Sequence, residues 1–382
     1  MYSLPGYGQM VTDKLRTDAY AQALEQDIKT GDVVAEIGTG TGIFALLACR
    51  FGARRVYAFE PSAVIELARE IATANGFADR IEFIPKMSLE SALPERADVI
   101  VSDVHGVLPF FNRGLLSLID ARNRFLAPHG RMIPRSDSLW IAGVKSAELY
   151  QAHLGPWKDK PYDFEMSAAL PRRVNSMDQC YVTAEDLFLE PRCLATIDYQ
   201  TIQQPDLDAS ASWTVDHESQ DHGIVLWFDS VLADGITLTN RPGAPRLIYR
   251  QQFCPWPAPL DTRPGHTVTV KVSARLVGND YVWRWDTQRV SQNSAQGAPL
   301  QFRQSTFFGS DFSLNELRRS ASQFQPQLNE EGLVHRKVLS MMEGNMSLDA
   351  IARELAKDFP KRFPRPQDAF NLVASVSRTF AR

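Results

Sequence analysis

The chain has 382 residues, of which 44% are hydrophobic and 23% are charged, and its formal net charge is −4. This composition is typical of a globular protein that is long enough for two or three domains. The acidic balance offers no basic face for nucleic acid, and no apolar run approaches a membrane span, so we expect neither as a partner.

The cysteines and the first residues bear on metal binding and on the compartment. The four cysteines are scattered without CxxC spacing or nearby histidine pairs, at positions 49, 180, 193 and 254. We therefore expect neither a metal site nor a disulfide framework. Because the first residues lack a basic segment followed by an apolar core, we expect no secretion and a reducing, cytoplasmic location.

Residues 1–30 are expected to form one helix that lies over the opening of the next domain. Its apolar residues recur at helical spacing, at positions 10, 15, 20, 23 and 24. For an isolated helix of this kind, a solvated Arg16 and a packed Tyr7 are the preferred interpretation of these two side chains.

Residues 33–61 carry the pattern of a nucleotide-binding strand, turn and helix. Val33–Ile37 is predicted to be a buried parallel strand, and Ile43–Phe51 has the apolar spacing of a helix. Between them lie the glycines of a tight turn: Gly38, Gly40 and Gly42. Glycine lets the backbone come close to a ligand, which a side chain would prevent.

Two acidic residues indicate which ligand this turn would take. Glu60 follows a second apolar strand about twenty residues past the glycines, where a carboxylate can bind both hydroxyls of a ribose. The strand, turn, helix, strand and acid stand in order, which favours an adenosine ligand over a structural glycine turn. Glu36 precedes the turn, and an acid there repels phosphate but suits the ammonium group of S-adenosyl-L-methionine.

The α/β pattern continues through residues 62–144. The expected helices are Ala63–Ala74 and Leu115–Phe125, and the expected strands are Ile81–Ile84 and Val99–Ser102. Ligands of such sheets lie outside the carboxyl ends of the strands, so the loop from Asp103 through His105 to Asn112 is the candidate acceptor site.

Residues 145–290 are predicted to form a separate β domain. Their segments alternate in polarity or are rich in β-branched residues, with Pro and Gly turns between them, as in residues 193–202, 223–232 and 267–277. Strands that follow an α/β half indicate a second domain.

The chain resembles the protein arginine methyltransferases, which are class I S-adenosylmethionine-dependent enzymes. The stretches that carry the resemblance include Met10 through Arg16, EIGTGTGI, GARRVYAFEPS, ANGFADRIEFI and FLAPHGRMIP. It implies a Rossmann-like domain over 31–144, then a β-barrel domain whose helical arm at about 150–190 forms a homodimer.

The family's cofactor residues are carried over one at a time. The resemblance implies that Arg16 grips the cofactor's carboxylate, that Glu36 and Gly38 belong to the binding turn, and that Glu60 binds the ribose. Met87 and Ser88 fall where the adenine is contacted. The full expected cofactor set is Tyr7, Met10, Arg16, Glu36, Gly38, Gly40, Glu60, Pro61, Met87, Ser88 and Asp103.

The acceptor site departs from the family pattern. Asp103 and Asn112 stand where family members that methylate arginine keep two glutamates, and Ile248 stands where they keep a histidine. Loss of one of two carboxylates would leave a buried guanidinium undercompensated. A guanidinium acceptor would need another acid from the barrel, so we expect instead a neutral amine, amide, imidazole or hydroxyl, with Asp103 and Asn112 as catalytic residues. His105 is either a general base with a pKa near the working pH or a satisfied loop histidine.

Residues 291–382 are expected to be a linker and a helical module. Residues 291–330 are rich in Gln and Ser, although FRQSTFFGSDF indicates a docking strand. Residues 331–382 show three apolar helix faces, and VLSMMEGNMSLDAIARELAKDF is similar to PqqD-type peptide-binding modules.

Three functions follow as hypotheses. The first is an enzyme that transfers a methyl group, to nitrogen rather than oxygen, on a peptide or an amino-acid-like metabolite of a natural-product pathway. The second is an S-adenosylmethionine-binding scaffold without turnover, and the third is a regulator whose C-terminal helices bind a partner.

Overall fold

The computed structural model describes residues 3–291, 299–310 and 313–381. The chain divides into two compact units, Met1–Ser310 and Asp311–Arg382. Two short stretches of the predicted linker, 292–298 and 311–312, lie outside the described residues.

Two helices, not one, occupy the first thirty residues. They are α1 (Leu4–Thr12) and α2 (Lys14–Asp27). Asp13 separates them because its side chain accepts a hydrogen bond from Arg16 N (3.3 Å) and so caps α2. The predicted single helix is corrected accordingly, and the expected apolar residue Leu15 is 50% exposed.

A parallel five-stranded sheet follows, in the order β3-β2-β1-β4-β5. Its strands are β1 (Val33–Ile37), β2 (Arg55–Phe59), β3 (Ile81–Ile84), β4 (Ala97–Ser102) and β5 (Leu126–Ile133). The helices between them are α3 (Ile43–Arg50), α4 (Val64–Ala74) and α5 (Gly114–Phe125). Every residue of β1 is buried, Glu36 included, which agrees with the predicted buried parallel strand. The Rossmann-like fold class is confirmed.

Antiparallel strands form the second half of this unit. One sheet has the order β7-β12-β10-β6-β8, with β11 beside β10, and the other has the order β15-β14-β13-β9. The first sheet contains β6 (Ser136–Val144), β7 (Asp178–Cys180), β8 (Arg192–Asp198), β10 (Ser219–Ala233), β11 (Ile236–Thr239) and β12 (Gln251–Thr262). The second contains β9 (Leu207–Thr214), β13 (His266–Val277), β14 (Asp280–Ser291) and β15 (Leu300–Ser305).

Strand β6 corrects one predicted boundary. We placed residues 136–144 in the first domain, but β6 pairs along its whole length with β10. The parallel sheet ends at Ile133, and a cis peptide bond joins that residue to Pro134. One apolar core nevertheless continues from the parallel sheet into the antiparallel sheets, for example from Phe59 through Leu139 to Trp256.

The region of the predicted arm is helical and partly exposed. It contains α6 (Ala147–Lys158) and α7 (Leu170–Arg173), with single 3-10 turns between them. Tyr162 is 93% exposed and Phe164 is 68% exposed.

The predicted linker is partly structured. Strand β15 pairs with β14 and is followed by α8 (Thr306–Gly309), so residues 300–310 belong to the first unit. The expected docking strand is therefore present, although it begins at Leu300 and ends at Ser305. A short helix, α9 (Leu314–Arg319), lies in the second unit.

The second unit has its own small core. Its main helices are α10 (Glu330–Glu343), α11 (Leu348–Asp358) and α12 (Pro366–Phe380). Ser347 caps α11 and Pro366 begins α12, as the sequence predicted. Their buried side chains include Val338, Leu355 and Val373.

Candidate active site

The glycine turn after β1 is closely packed on two sides. A Cβ atom at Gly38 would lie 2.8 Å from a methyl of Val104, and one at Gly40 would lie 3.0 Å from the Tyr7 ring. Both glycines also have positive φ angles, 82° and 54°. Helix α1 therefore covers the turn through Tyr7, and only glycine fits beneath it.

Glu36 lies at the start of this turn and is buried. Its carboxylate accepts a hydrogen bond of 2.5 Å from the Thr39 hydroxyl, and only 1% of the residue is exposed. Burial raises the pKa of Glu36 to about 8, against the lowering effect of Thr39. A cation placed beside this carboxyl would favour its ionised form.

Glu60, at the end of β2, is held by backbone donors. One carboxylate oxygen accepts from Gly40 N (3.1 Å) and the other from Ser62 N (3.0 Å). The carboxylate is thus fixed beside the glycine turn, and each oxygen keeps a lone pair for a hydroxyl group.

The segments after β2 and β3 contribute the remaining predicted contacts. Ser88 is 1% exposed, and its hydroxyl has no hydrogen-bond partner among the described residues. Met87 caps the 3-10 turn that carries Ser88, whereas Pro61 is exposed beside Glu60. A buried hydroxyl without a partner is suited to bind a polar ligand atom.

Arg16 connects the N-terminal helices to the end of β4. Its Nε donates to Asp103 (2.5 Å) and to the Tyr249 hydroxyl (3.0 Å), its Nη1 donates to Met10 O (3.0 Å), and its Nη2 forms an ion pair with Asp103. The solvated interpretation of Arg16 is therefore wrong. Each terminal nitrogen carries a second hydrogen that can reach another acceptor.

Asp103 is surrounded by donors. Besides Arg16, it accepts from the Tyr249 hydroxyl, at 2.5 and 2.6 Å from its two oxygens, and pairs with His105 Nδ1 at 3.0 Å. Burial would raise the pKa of the Asp103 carboxyl, but Arg16 and His105 hold it well below its usual range.

His105 is enclosed between two carboxylates. Its Nε2 lies 2.6 Å from Asp137 Oδ2, its ring stacks on Phe228 (5.0 Å between centroids), and it is 4% exposed. Burial lowers the pKa of an imidazole, but Asp137 and Asp103 outweigh this effect and raise the pKa of His105 to about 10. Both ring nitrogens are then protonated, and each donates a hydrogen bond to a carboxylate, Nδ1 to Asp103 and Nε2 to Asp137. This contradicts the predicted general base and agrees with the satisfied loop histidine.

Three residues of this network were missed from the sequence: Tyr249, Asp137 and Tyr199. The Tyr199 hydroxyl donates to Asp137 Oδ2 at 2.5 Å. Charged side chains alternate in sign along the network, from Arg16 through Asp103 and His105 to Asp137. We call these four residues the charge row. Tyr249 follows Ile248 in a segment whose backbone donates from Ile248 N to Asp13 (2.8 Å).

Asn112 is not part of the charge row. The residue is exposed and has a φ angle of 46°, and its backbone N donates to Asp280 (3.3 Å). In the part of the chain that the structure describes, no hydrogen bond joins its side chain to Asp103 or His105. The geometry brings Asp103 and His105 together and leaves Asn112 apart.

Neither a metal site nor a membrane span stands out. Within residues 3–291, 299–310 and 313–381, no three His, Cys, Asp or Glu side chains are grouped to hold a metal ion. Among the same residues, no helix is both long and apolar enough to cross a bilayer.

Comparisons with known proteins agree on one kind of relative. The model described as ribosomal protein L11 methyltransferase (PrmA) matches residues 15–134, and the arginine methyltransferase oligomerization subdomain matches residues 135–287. The chain is 30% identical over 230 residues to probable protein arginine N-methyltransferase 6.2 of Oryza sativa subsp. indica, a match that covers 58% of each chain. Over both matched regions the chain is similar to the protein arginine methyltransferases.

Two further relatives show how far along the chain this similarity extends. The arginine methyltransferase-like chain is 32% identical over 290 residues to probable histone-arginine methyltransferase 1.3 of Arabidopsis thaliana, covering 69% of this chain and 53% of that one. It is 27% identical over 270 residues to protein arginine N-methyltransferase 1 of Saccharomyces cerevisiae, covering 68% and 77%. The chain thus spans little more than half the length of the rice and Arabidopsis relatives.

Solved structures share the fold. The Trypanosoma brucei PRMT1 enzyme-prozyme heterotetrameric complex with AdoHcy has a TM-score of 0.70 and 22% identity over 78% of this chain and 97% of that one. Arabidopsis thaliana protein arginine methyltransferase 10 has a TM-score of 0.68 and 21% identity over 79% and 97%. The two family models meet between residues 134 and 135, where the sheets also separate. Neither reaches the C-terminal unit, so its likeness to PqqD-type modules stays a prediction.

Proposed function

We propose that this protein is an S-adenosyl-L-methionine-dependent methyltransferase that methylates a nitrogen of a peptide or an amino-acid-like metabolite. The observation that carries the proposal is the pair of carboxylates, Glu36 and Glu60, on either side of a glycine turn that no side chain could fill. This arrangement suits a ligand that carries an ammonium group and a ribose and that lies close to the backbone of the turn.

Each polar part of the cofactor finds a suitable group. Glu36 would hold its ammonium, Glu60 its ribose hydroxyls, the free hydrogens of Arg16 its carboxylate, and Ser88 Oγ its adenine. When bound, the cofactor supplies a methyl group activated by a sulfonium. The chain's own contribution is to orient these groups and, through Tyr7, to exclude water above the turn.

The charge of Asp103 supports a neutral acceptor nitrogen. Its carboxylate already compensates Arg16 and His105, and Asn112 brings no charge to the same loop. A guanidinium would then lack a free carboxylate, whereas a neutral nitrogen needs only orientation by hydrogen bonds. The competing acceptor is an arginine guanidinium, which the names of the relatives favour.

The exposed tip of the arm supports a homodimer. Tyr162, Phe164 and Met166 are 93%, 68% and 37% exposed, and such a patch of large side chains is suited to a protein interface. The second family model, described as an oligomerization subdomain, spans this segment. The four unpaired thiols support the cytoplasmic location that we also propose.

A scaffold or regulator that binds the cofactor without turnover is the alternative function. Two observations support it: Asn112 lies apart from the charge row, and both nitrogens of His105 are already paired with carboxylates. The acceptor loop therefore has no base that is free to take a proton.

Titration calorimetry with S-adenosyl-L-methionine, followed by an assay for S-adenosylhomocysteine with peptide and metabolite pools, tests the proposal. We expect binding, and about tenfold weaker binding by Glu60→Ala, which removes the ribose contact. Glu185→Ala, an exposed acid outside the site, is the matched control. No binding refutes the proposal, and binding without turnover in any pool supports the scaffold. Mass spectrometry of the product decides between arginine and another nitrogen.

A further inference from the structure

Two exposed arginines lie against one tyrosine beside the candidate acceptor site. The guanidinium carbon of Arg246 is 4.5 Å from the Tyr181 ring centroid, and that of Arg250 is 5.6 Å from the same centroid. The Tyr181 hydroxyl donates to Leu247 O (2.9 Å), which fixes the ring under the segment that carries both arginines. A cation–π contact attracts each guanidinium to the ring but does not neutralise its charge.

Two carboxylates of the neighbouring segments are committed elsewhere. Asp13 accepts from the backbone of Arg16 and Ile248, and Asp186 accepts both the backbone N and the hydroxyl of Thr183. Within the described residues, no ion pair is formed by Arg246 or Arg250. Two guanidinium groups held on one ring without an anion form a site that attracts one.

The arginine pair is structurally tied to the reaction centre. Tyr249, which precedes Arg250, contacts Asp103, and the Asn240 side chain donates to Arg250 O and to Val107 O (3.3 Å) in the acceptor loop. Arg250 has a φ angle of 54°, a strained conformation that this hydrogen bond holds in place. The backbone of Arg250 is therefore linked to the acceptor loop through a single side chain, that of Asn240.

We propose that Arg246 and Arg250 bind a carboxylate of the acceptor, so that the substrate is a peptide with acidic residues next to the methylated side chain. This inference rests on the proposed function and adds the substrate class to it. The site is a local positive region on a chain whose net charge is −4, so it would select anionic segments rather than act as a general basic surface. A peptide rich in arginine or lysine would be repelled.

The test measures fluorescence anisotropy of labelled peptide pools on the full chain. Each pool has a randomised central residue flanked by glutamate, glutamine or lysine, because the methylated side chain is unidentified. We expect the glutamate pool to bind about tenfold tighter than the glutamine pool, and its affinity to fall as salt rises from about 0.05 to 0.2 M. Arg246→Gln with Arg250→Gln should abolish the preference.

Two variants separate charge from folding. Arg50→Gln, at an exposed position at the end of α3, is the matched control and should keep the preference. Arg246→Lys with Arg250→Lys keeps both charges and should retain part of the preference. The proposal is overturned if the three pools bind equally, or if the preference survives in Arg246→Gln with Arg250→Gln. It is also overturned if a single-stranded oligothymidine binds the same arginines more tightly than the glutamate pool does. Calorimetry with S-adenosyl-L-methionine is independent of these outcomes and tests the proposed function separately.

Discussion

Replacing Glu36 by glutamine should change how stability depends on pH. Burial raises the pKa of Glu36 from its ordinary value of 4.5 to about 8, so between these pH values the folded chain binds more protons than the unfolded chain. The free energy of unfolding therefore falls as pH rises through this window. Glutamine keeps an acceptor for the Thr39 hydroxyl but has no charge to bury, which removes this loss.

The magnitude follows from the interval between the two pKa values. At about 1.4 kcal/mol per pH unit, the stability of the variant relative to the natural chain should rise by about 2 to 3 kcal/mol between pH 5 and pH 7. Urea unfolding at both pH values measures the difference. Equal differences at pH 5 and pH 7 would refute the reasoning, because they would mean that Glu36 does not titrate in this window.

Asp221 provides a matched control for the same experiment. Burial raises the pKa of Asp221, on β10, to about 7, although the hydroxyls of Ser219 and Thr262 donate to it. Asp221→Asn should show a similar pH dependence of stability. Only Glu36→Gln should also weaken binding of S-adenosyl-L-methionine at pH 8, because only Glu36 lies at the glycine turn.

Three further predictions concern the site and the arm. Tyr249→Phe leaves Asp103 without one donor and should lower the free energy of unfolding by about 1 to 3 kcal/mol, measured in urea, and an unchanged midpoint would contradict it. Asp103→Asn leaves Arg16 and His105 undercompensated, and it should lower the free energy of unfolding by about 3 to 5 kcal/mol and depress turnover. If the variant kept the stability and rate of the natural chain, Asp103 would not belong to the reaction centre. Phe164→Asp should give a monomer by light scattering, whereas a persistent dimer would place the interface elsewhere.

The sequence predicted the elements whose pattern is local. The run Val33–Ile37 and the spacing of Ile43–Phe51 contain the strand and the helix within themselves, and the structure begins both elements at the predicted residues. The division at Asp13 was missed because apolar spacing continues across it, although an aspartate three residues before Arg16 is itself a helix-start signal.

The site was predictable only where it lies at strand ends. Glu36, Glu60 and Asp103 follow from the rule that ligands lie at the carboxyl ends of parallel strands. Tyr249 is 146 residues from Asp103 along the chain, and within an apolar segment it has the pattern of an ordinary core residue. Asp137 is the second residue of β6, and its pairing with His105, 32 residues away, left no local signal.

The charge row has a consequence for how such chains diverge. Two cations and two anions alternate with little exposure to solvent, so a lineage that loses any one of the four inherits an uncompensated neighbour. Descendants should therefore exchange these positions in compensating pairs, or replace all four with apolar residues at once. Ancestral reconstruction across the lineage would reveal intermediates in which Arg16 and Asp103 disappear together.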